Sequence, residues 1–75
     1  MKIKYFEDTD TALLEFTGGP SVENREMSED LYLDLDAQGA VVAITIEHAS
    51  RRSDMTELSF QRWPKSPGAP RLEAA

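Results

Sequence analysis

Apolar and polar residues alternate along much of the first 50 positions, which is the pattern of a half-buried β-strand. The clearest case is the segment 31–36, where three leucines alternate with Tyr32, Asp34 and Asp36. Segment 22–27 is apolar only at its ends, so it fits an edge of the sheet or a strand that faces solvent on both sides. The alternation predicts strands over residues 2–5, 11–17, 22–27, 31–36 and 41–47.

Segment 41–47 differs from the others because it is apolar on both faces and rich in β-branched residues. Such a strand is usually buried on both sides, so we expect it near the centre of the sheet. Asp36 and Gly39 bound the short polar stretch before it, as in a type I turn that closes on a residue at positive φ. The sequence therefore predicts a β-hairpin over residues 31–47.

The pattern after residue 47 is ambiguous. Residues 48–53 fit one helical turn, and Asp54 with Glu57 fits a capping box. Residues 55–62 fit a helix, but alternation from Thr56 to Gln61 fits a strand equally well. We favour a short helix near residues 47–54 followed by a last strand. The predicted fold class is α+β, a small, mostly antiparallel, meander-like sheet of about five to six strands with that one helix.

The length of 75 residues predicts one domain with a thin core. Small domains often add disulfides, a metal or self-association, and this chain has no cysteine and one histidine. Trp63-Pro64 ends regular structure, because proline lacks an amide hydrogen. We predict a single domain over residues 1–63, a disordered proline-rich tail over residues 64–75, and self-association.

Charge is divided unevenly along the chain. Residues 1–50 carry three basic and eleven acidic side chains, whereas residues 51–75 carry five basic and three acidic ones. An acidic body repels phosphate backbones and favours basic partners. The start of the chain does not resemble a signal peptide, and the longest apolar run, residues 40–44, is too short to span a bilayer. With no cysteine, we expect a cytoplasmic protein that does not bind membranes.

His48 is the one side chain with an ordinary pKa near neutrality, so it is the first candidate for catalytic or metal-binding chemistry. Its neighbour Glu47 points to the opposite face of a strand, so the two do not form a base and its orienting acid. Asp34 and Asp36 lie on one strand face, about 6 to 7 Å apart. Asp34, Asp36 and His48 are therefore weak candidates for a metal site or a hydrolase at a dimer interface. We predict no catalytic residues and no cofactor.

Arg51, Arg52, Arg62, Trp63 and Lys65 place cations around an aromatic side chain near the end of the chain. This arrangement is found in single-strand nucleic-acid grooves. These four cations and Arg71 form a thin electrostatic footprint on an acidic chain, because phosphate binding usually needs more. Weak nucleic-acid binding is therefore the third functional hypothesis, and the composition disfavours it.

Several of these segments together resemble a family. They are Met1 to Tyr5, Asp10 to Leu13, the hairpin from Leu33 through Gly39, Val42 to Ile46, and Ala49-Ser50. They are similar to the YuzE-like bacterial proteins, also called domain of unknown function 2283, over roughly residues 1–60. The resemblance implies a small α+β fold on an antiparallel sheet. It also implies a bacterial protein, in some cases encoded beside a suspected small toxin, and it supplies no catalytic residues.

The acidic body, the thin core and the resemblance favour a non-enzymatic interaction protein. It would act as a homo-oligomer or as an antitoxin-like partner of a basic protein. The alternatives are a metal-dependent hydrolase or metal-binding protein with its site at a dimer interface, and a weak nucleic-acid binder.

Overall fold

A computed structural model describes residues 1–64 of the chain. Its strands are β1 (Lys2–Phe6), β2 (Thr11–Glu15), β3 (Glu23–Ser28), β4 (Leu31–Leu35) and β5 (Val41–Glu47), followed by a 3-10 turn over Ala49–Arg51. All neighbouring strands are antiparallel, and they form one sheet in the order β1-β2-β5-β4-β3. The predicted tail lies outside the described residues except for Pro64.

The order of the strands refines the meander-like prediction. β1 and β2 form one hairpin, and β3, β4 and β5 follow one another as paired neighbours. The connection from β2 to β3, however, passes to the far edge of the sheet, so that β5 fills the position between β2 and β4. β5 is therefore central and β3 is a fully exposed edge, as the sequence predicts for both.

The structure is mostly β and does not support the α+β class. In residues 1–64 the predicted helix is reduced to the three-residue 3-10 turn. His48 before it takes a left-handed conformation with φ 55°. Arg52 N–H and Ser53 N–H both donate to the Ala49 carbonyl, which closes the turn. The backbone thus bends sharply after β5 instead of starting an α-helix.

Asp54 does not begin a second helix. Its carboxylate accepts hydrogen bonds from the backbone N–H and the hydroxyl of Thr56, at 3.0 and 2.5 Å. These contacts form a local Asx-type turn, which competes with helix formation. Residues 57–63 have no regular structure, so the predicted sixth strand is absent from the described part of the chain.

One face of the sheet is apolar, and its residues follow from the strand register. Side chains directly opposite one another on paired strands share a face. Two rows result from β1, β2, β5 and β4: Ile3, Leu14, Ile44 and Leu33 in the first, and Tyr5, Ala12, Ile46 and Leu31 in the second. Alternation adds Leu35 and Val42 to the same side. We call these ten residues the apolar face. At the β3 edge the same side is charged, since Arg25 lies opposite Leu33 and Glu23 opposite Leu35.

The buried core is small. The buried hydrophobic residues among those described are Ala12, Leu35, Val42, Ala43 and Ala49. Three of these five are alanines, which bury little area each. Extensive contacts between described elements join only neighbouring strands. The fold is therefore a single layer, whereas most domains bury a sheet face under a second layer.

Gly39 closes the turn between β4 and β5 with φ +87°. Its N–H donates to the Asp36 carbonyl at 3.0 Å. We expect Gly39→Ala to lower the free energy of unfolding by about 1 to 2 kcal/mol, because a Cβ disfavours the left-handed region. Urea unfolding would measure this. Gly18→Ala is a matched control, since both glycines have open space around them and only Gly39 has a positive φ. Equal effects at the two positions would contradict this explanation.

Candidate functional site

Two acidic residues precede strands that flank β5. Asp10 lies directly before β2, and Asp30 lies directly before β4. Because β2 and β4 both pair antiparallel with β5, their first residues lie beside its last ones. The two carboxylates therefore stand on either side of the point where the chain leaves β5 and enters the 3-10 turn.

Asp10 joins the first hairpin to this turn. Its carboxylate accepts hydrogen bonds from the Tyr5 hydroxyl at 2.5 Å, the Ser50 N–H at 3.0 Å and the Ser50 hydroxyl at 2.8 Å. Its carbonyl also accepts the Ala49 N–H at 2.9 Å. Asp10 has φ 56°, a conformation that Asp tolerates better than most residues. We call Tyr5, Asp10, Ala49 and Ser50 the Asp10 latch.

Asp30 forms a similar contact on the other side of β5. One carboxylate oxygen lies 3.0 Å from His48 Nδ1, and the other accepts a hydrogen bond from Arg52 at 3.3 Å. The Asp30 carbonyl accepts the Glu47 N–H at 2.8 Å. The Asp30 side chain is 13% exposed, and that of His48 is half exposed. His48 therefore adopts its left-handed backbone conformation next to a carboxylate with which its side chain pairs.

Both carboxylates have pKa values below their ordinary value of 3.8. For Asp10 the main cause is the hydrogen bond from Tyr5, followed by that from Ser50. For Asp30 the main cause is the hydrogen bond with His48. A carboxylate with a lowered pKa is a weaker base, so these contacts favour holding the chain in place over proton transfer.

These lowered pKa values predict a loss of stability in acid. The unfolded chain binds protons at higher pH than the folded chain does. Stability from Asp10 and Asp30 is therefore present above about pH 4 and is lost as the pH falls through the lowered folded values. We expect Tm to fall less between pH 6 and pH 3 in the double variant Asp10→Asn, Asp30→Asn than in the unaltered protein. Parallel Tm curves would contradict this role.

The candidate metal ligands do not come together. Asp34 accepts a hydrogen bond from Asn24 at 2.8 Å. Asp36 accepts the N–H groups of Gln38 and Ala40, both at 2.9 Å, inside the turn before β5. His48 lies at the opposite end of β5, about 20 Å away by strand rise. Within residues 1–64 no group of three or more His, Asp or Glu side chains could hold a metal ion.

Ser50 and Arg52 also have local partners. The Ser50 hydroxyl donates to Asp10, while His48 contacts Asp30, so these two residues do not pair as nucleophile and base. Arg52 binds Asp30 and therefore belongs to the turn. Trp63 is 70% exposed. Arg51 and Arg62 of the predicted basic cluster are exposed as well, and Lys65 lies outside the described residues.

Sequence reasoning named Asp10 only within the family resemblance and did not single out Asp30. Two signals were nonetheless present in the sequence. Asp10 and Ala49-Ser50 are both segments that carry the family resemblance, and in the structure they bind each other. Asp is also a residue type that favours turns through its side chain. Pairing the two segments would have required knowing that β2 lies beside β5.

The apolar face is only partly covered. A groove of about 370 Å³ lies between it and the chain after the 3-10 turn. The residues of the apolar face that line this groove belong to β1, β2 and β5 alone, and Met55 and Leu58 line its other side. Leu31, Leu33 and Ile44 are only half-buried. We call these last three residues the open half of the apolar face.

The opposite face of the sheet is polar and carries an acidic area. Register and alternation place Glu26, Tyr32, Asp34, Thr45 and Glu47 together there, and we call these five residues the acidic face. The negative charges of Glu47 and Glu26 are the main causes that raise the pKa of Tyr32. Neither glutamate takes part in the ion pairs found within residues 1–64. The acidic face therefore has a negative potential that is not neutralised by these ion pairs.

The fold and its two faces define a small antiparallel β protein with one sheet, apolar on one side and acidic on the other. Residues 2–50 match the family described as protein of unknown function DUF2283, and the chain belongs to that family. This confirms the resemblance seen in the sequence; the narrower YuzE-like designation stays a prediction. No curated protein and no solved structure matches the chain.

The matched residues include all five strands and both segments of the Asp10 latch. The groove-lining residues after position 50 lie beyond the match. No helix among residues 1–64 has the length and apolar character needed to cross a membrane.

Proposed function

We propose that this protein is a non-enzymatic interaction protein that presents the apolar face of its sheet to another chain. One observation carries the proposal: Leu31, Leu33 and Ile44 lie in the middle of the sheet yet remain half-buried. Apolar patches that stay open to water are typical of interaction sites. Binding a partner chain over this face would supply the second layer that a sheet normally has.

The lowered pKa values of two carboxylates favour an interaction protein over a hydrolase. Asp10 and Asp30 are engaged by hydrogen-bond donors of their own chain, and their lowered pKa values make them weak bases. Within one chain Asp34, Asp36 and His48 lie at different places on the sheet, so the metal hypothesis would need a second chain to bring them together. The partner itself is either a second copy of this chain or another protein, and we place the complex in the cytoplasm.

The acidic face favours a second candidate function, antitoxin-like binding of a basic protein. Glu26 and Glu47 raise the pKa of Tyr32 between them, which reports a local negative potential. Such a potential attracts a positively charged partner and repels nucleic acid. The two faces point in opposite directions, so one chain has room for a partner on each.

The apolar face is tested by co-expressing the full chain with the products of adjacent genes and measuring the mass of the purified complexes. We expect the full chain to form a complex of defined mass, with itself or with one of these products. Leu33→Gln should weaken it, while Thr45→Gln on the opposite face is the control. A chain that stays monomeric and binds none of these products at micromolar concentration would overturn the proposal.

The acidic face makes a separate prediction. Glu26→Gln combined with Glu47→Gln should weaken binding of a basic partner by at least about tenfold at low salt, and the difference should shrink as salt screens the charges. Calorimetric titration at two salt concentrations measures both effects. Glu7→Gln combined with Glu57→Gln removes the same charge from outside the acidic face. An equal loss in both double variants would assign the effect to net charge instead.

A further inference from the structure

The segment 57–63 exposes large apolar side chains to an unusual degree. Leu58 is 71% exposed, Phe60 80% and Trp63 70%. This segment, which we call the arm, has no regular structure of its own. Its alternation of apolar and polar residues is nevertheless that of a strand or an extended ligand lying on an apolar surface.

The arm begins beside the groove, over the part of the apolar face that does not include the open half. Glu57 and Leu58, its first two residues, line the groove over β1, β2 and β5 together with Met55. Leu31, Leu33 and Ile44 do not line this groove. The groove therefore does not bring the apolar arm of a chain into contact with the open half of the same chain.

We propose that a second copy of this chain covers the apolar face, with each arm lying across the open half of the other copy. The inference rests on the proposed interaction function and names the partner. Both complementary surfaces belong to the same sequence, so a two-fold symmetric pair uses each of them once per chain. Extended residues 59–63 reach about 16 Å, which is more than the spacing of about 5 Å between the two strands that carry the open half.

The exposed area suits a reversible pair. A buried aromatic side chain removes about 150 to 250 Å² from water, so Phe60 and Trp63 at their present exposure offer on the order of 300 Å². The open half beneath them is already half-buried and loses a smaller area. Each chain supplies one arm and one open half, which gives roughly 400 to 500 Å² per chain. A standard interface buries about 800 Å² per partner, and weaker, transient interfaces bury less.

The edges of the sheet are less suited to self-association than the apolar face. β1 carries Lys2 and Lys4, and β3 carries Glu23, Arg25 and Glu26. Charged side chains on edge strands are a known defence against pairing with another chain. None of the ten residues of the apolar face carries a charge.

The test measures the mass of the full chain by sedimentation over a range of concentrations, together with the emission of Trp63, the one tryptophan of the chain. We expect a dimer whose formation shifts the emission to shorter wavelength at the same concentrations. Phe60→Ser with Trp63→Ser should weaken dimerisation about 30-fold or more. Phe6→Ser, on the opposite face, is the control, since Phe6 is also exposed.

Mixing two variants tests the exchange itself. Leu33→Gln should also be monomeric, with Trp63 emitting as in water. A mixture of the variant Phe60→Ser, Trp63→Ser with the variant Leu33→Gln should recover a heterodimer. The first chain then supplies an intact open half, and the second chain supplies an intact arm. The proposed exchange of arms would be overturned if the variant Phe60→Ser, Trp63→Ser dimerised as well as the unaltered chain. An emission shift that does not depend on protein concentration would also overturn it. A monomeric chain that still binds another protein through Leu33 would overturn the exchange and leave the proposed function standing.

Discussion

Leu35→Ala is expected to lower the free energy of unfolding by about 2 to 5 kcal/mol. Leu35 is 5% exposed and is the largest residue among the few buried ones. Removing most of its side chain loses the transfer free energy and leaves a cavity in a sheet that has no second layer to collapse into it. A small domain is stable by only about 5 kcal/mol at the low end of the usual range, so the change approaches the total.

Urea unfolding followed by circular dichroism measures this loss at a fixed protein concentration, because self-association would add to stability. Val22→Ala is the matched control, since Val22 is 67% exposed although its N–H donates to the Leu35 carbonyl. Its effect should stay within about 0.5 kcal/mol. If Leu35→Ala does not fold, Leu35→Met should remain measurable with a loss below about 1.5 kcal/mol. Equal losses for Leu35→Ala and Val22→Ala would contradict the position of the core.

Asp10→Asn is expected to lower Tm by at least about 8 °C. The substitution removes the negative charge that accepts three hydrogen bonds from Tyr5 and Ser50. Asn tolerates the left-handed conformation of this position, so the loss reports the hydrogen bonds and not backbone strain. The first hairpin and the 3-10 turn should then separate more easily.

Asp8→Asn provides the comparison for Asp10→Asn, because Asp8 lies in the same turn and is exposed. It should shift Tm by no more than a few degrees. Ser50→Ala, which removes one of the three donors, should fall between the two. A ranking in which Asp8→Asn costs as much as Asp10→Asn would mean that the Asp10 latch does not stabilise the fold.

Periodicity predicted the strands well, because alternation reports which face of a strand is buried. β5 was predicted over the same residues that the structure shows, and the edge position of β3 followed from its lack of an apolar face. β2 ends at Glu15 and not at Thr17. The position of β5 between β2 and β4 could not be predicted, since alternation carries no information about which strands pair.

The region after β5 was harder to predict because local geometry overrode the pattern. His48 adopts a positive φ beside Asp30, and this contact depends on a turn 18 residues earlier in the chain. The alternation between Thr56 and Gln61 reported apolar side chains that need a surface, but residues 57–63 find no strand partner among the described residues. The sequence pattern showed that these apolar side chains are suited to contact an apolar surface. It did not show which surface they contact.

The central position of β5 also has a consequence for synthesis. The ribosome makes the chain from its amino end, so the first hairpin and the β3–β4 hairpin emerge before the strand that joins them. Until β5 arrives, the β2 and β4 edges that it will occupy are open to water, and pairing β2 with β5 must close a long loop. We therefore expect a nascent chain that ends before residue 41 to be sensitive to proteases and prone to aggregation. Protection should appear in one step once β5 has left the exit tunnel.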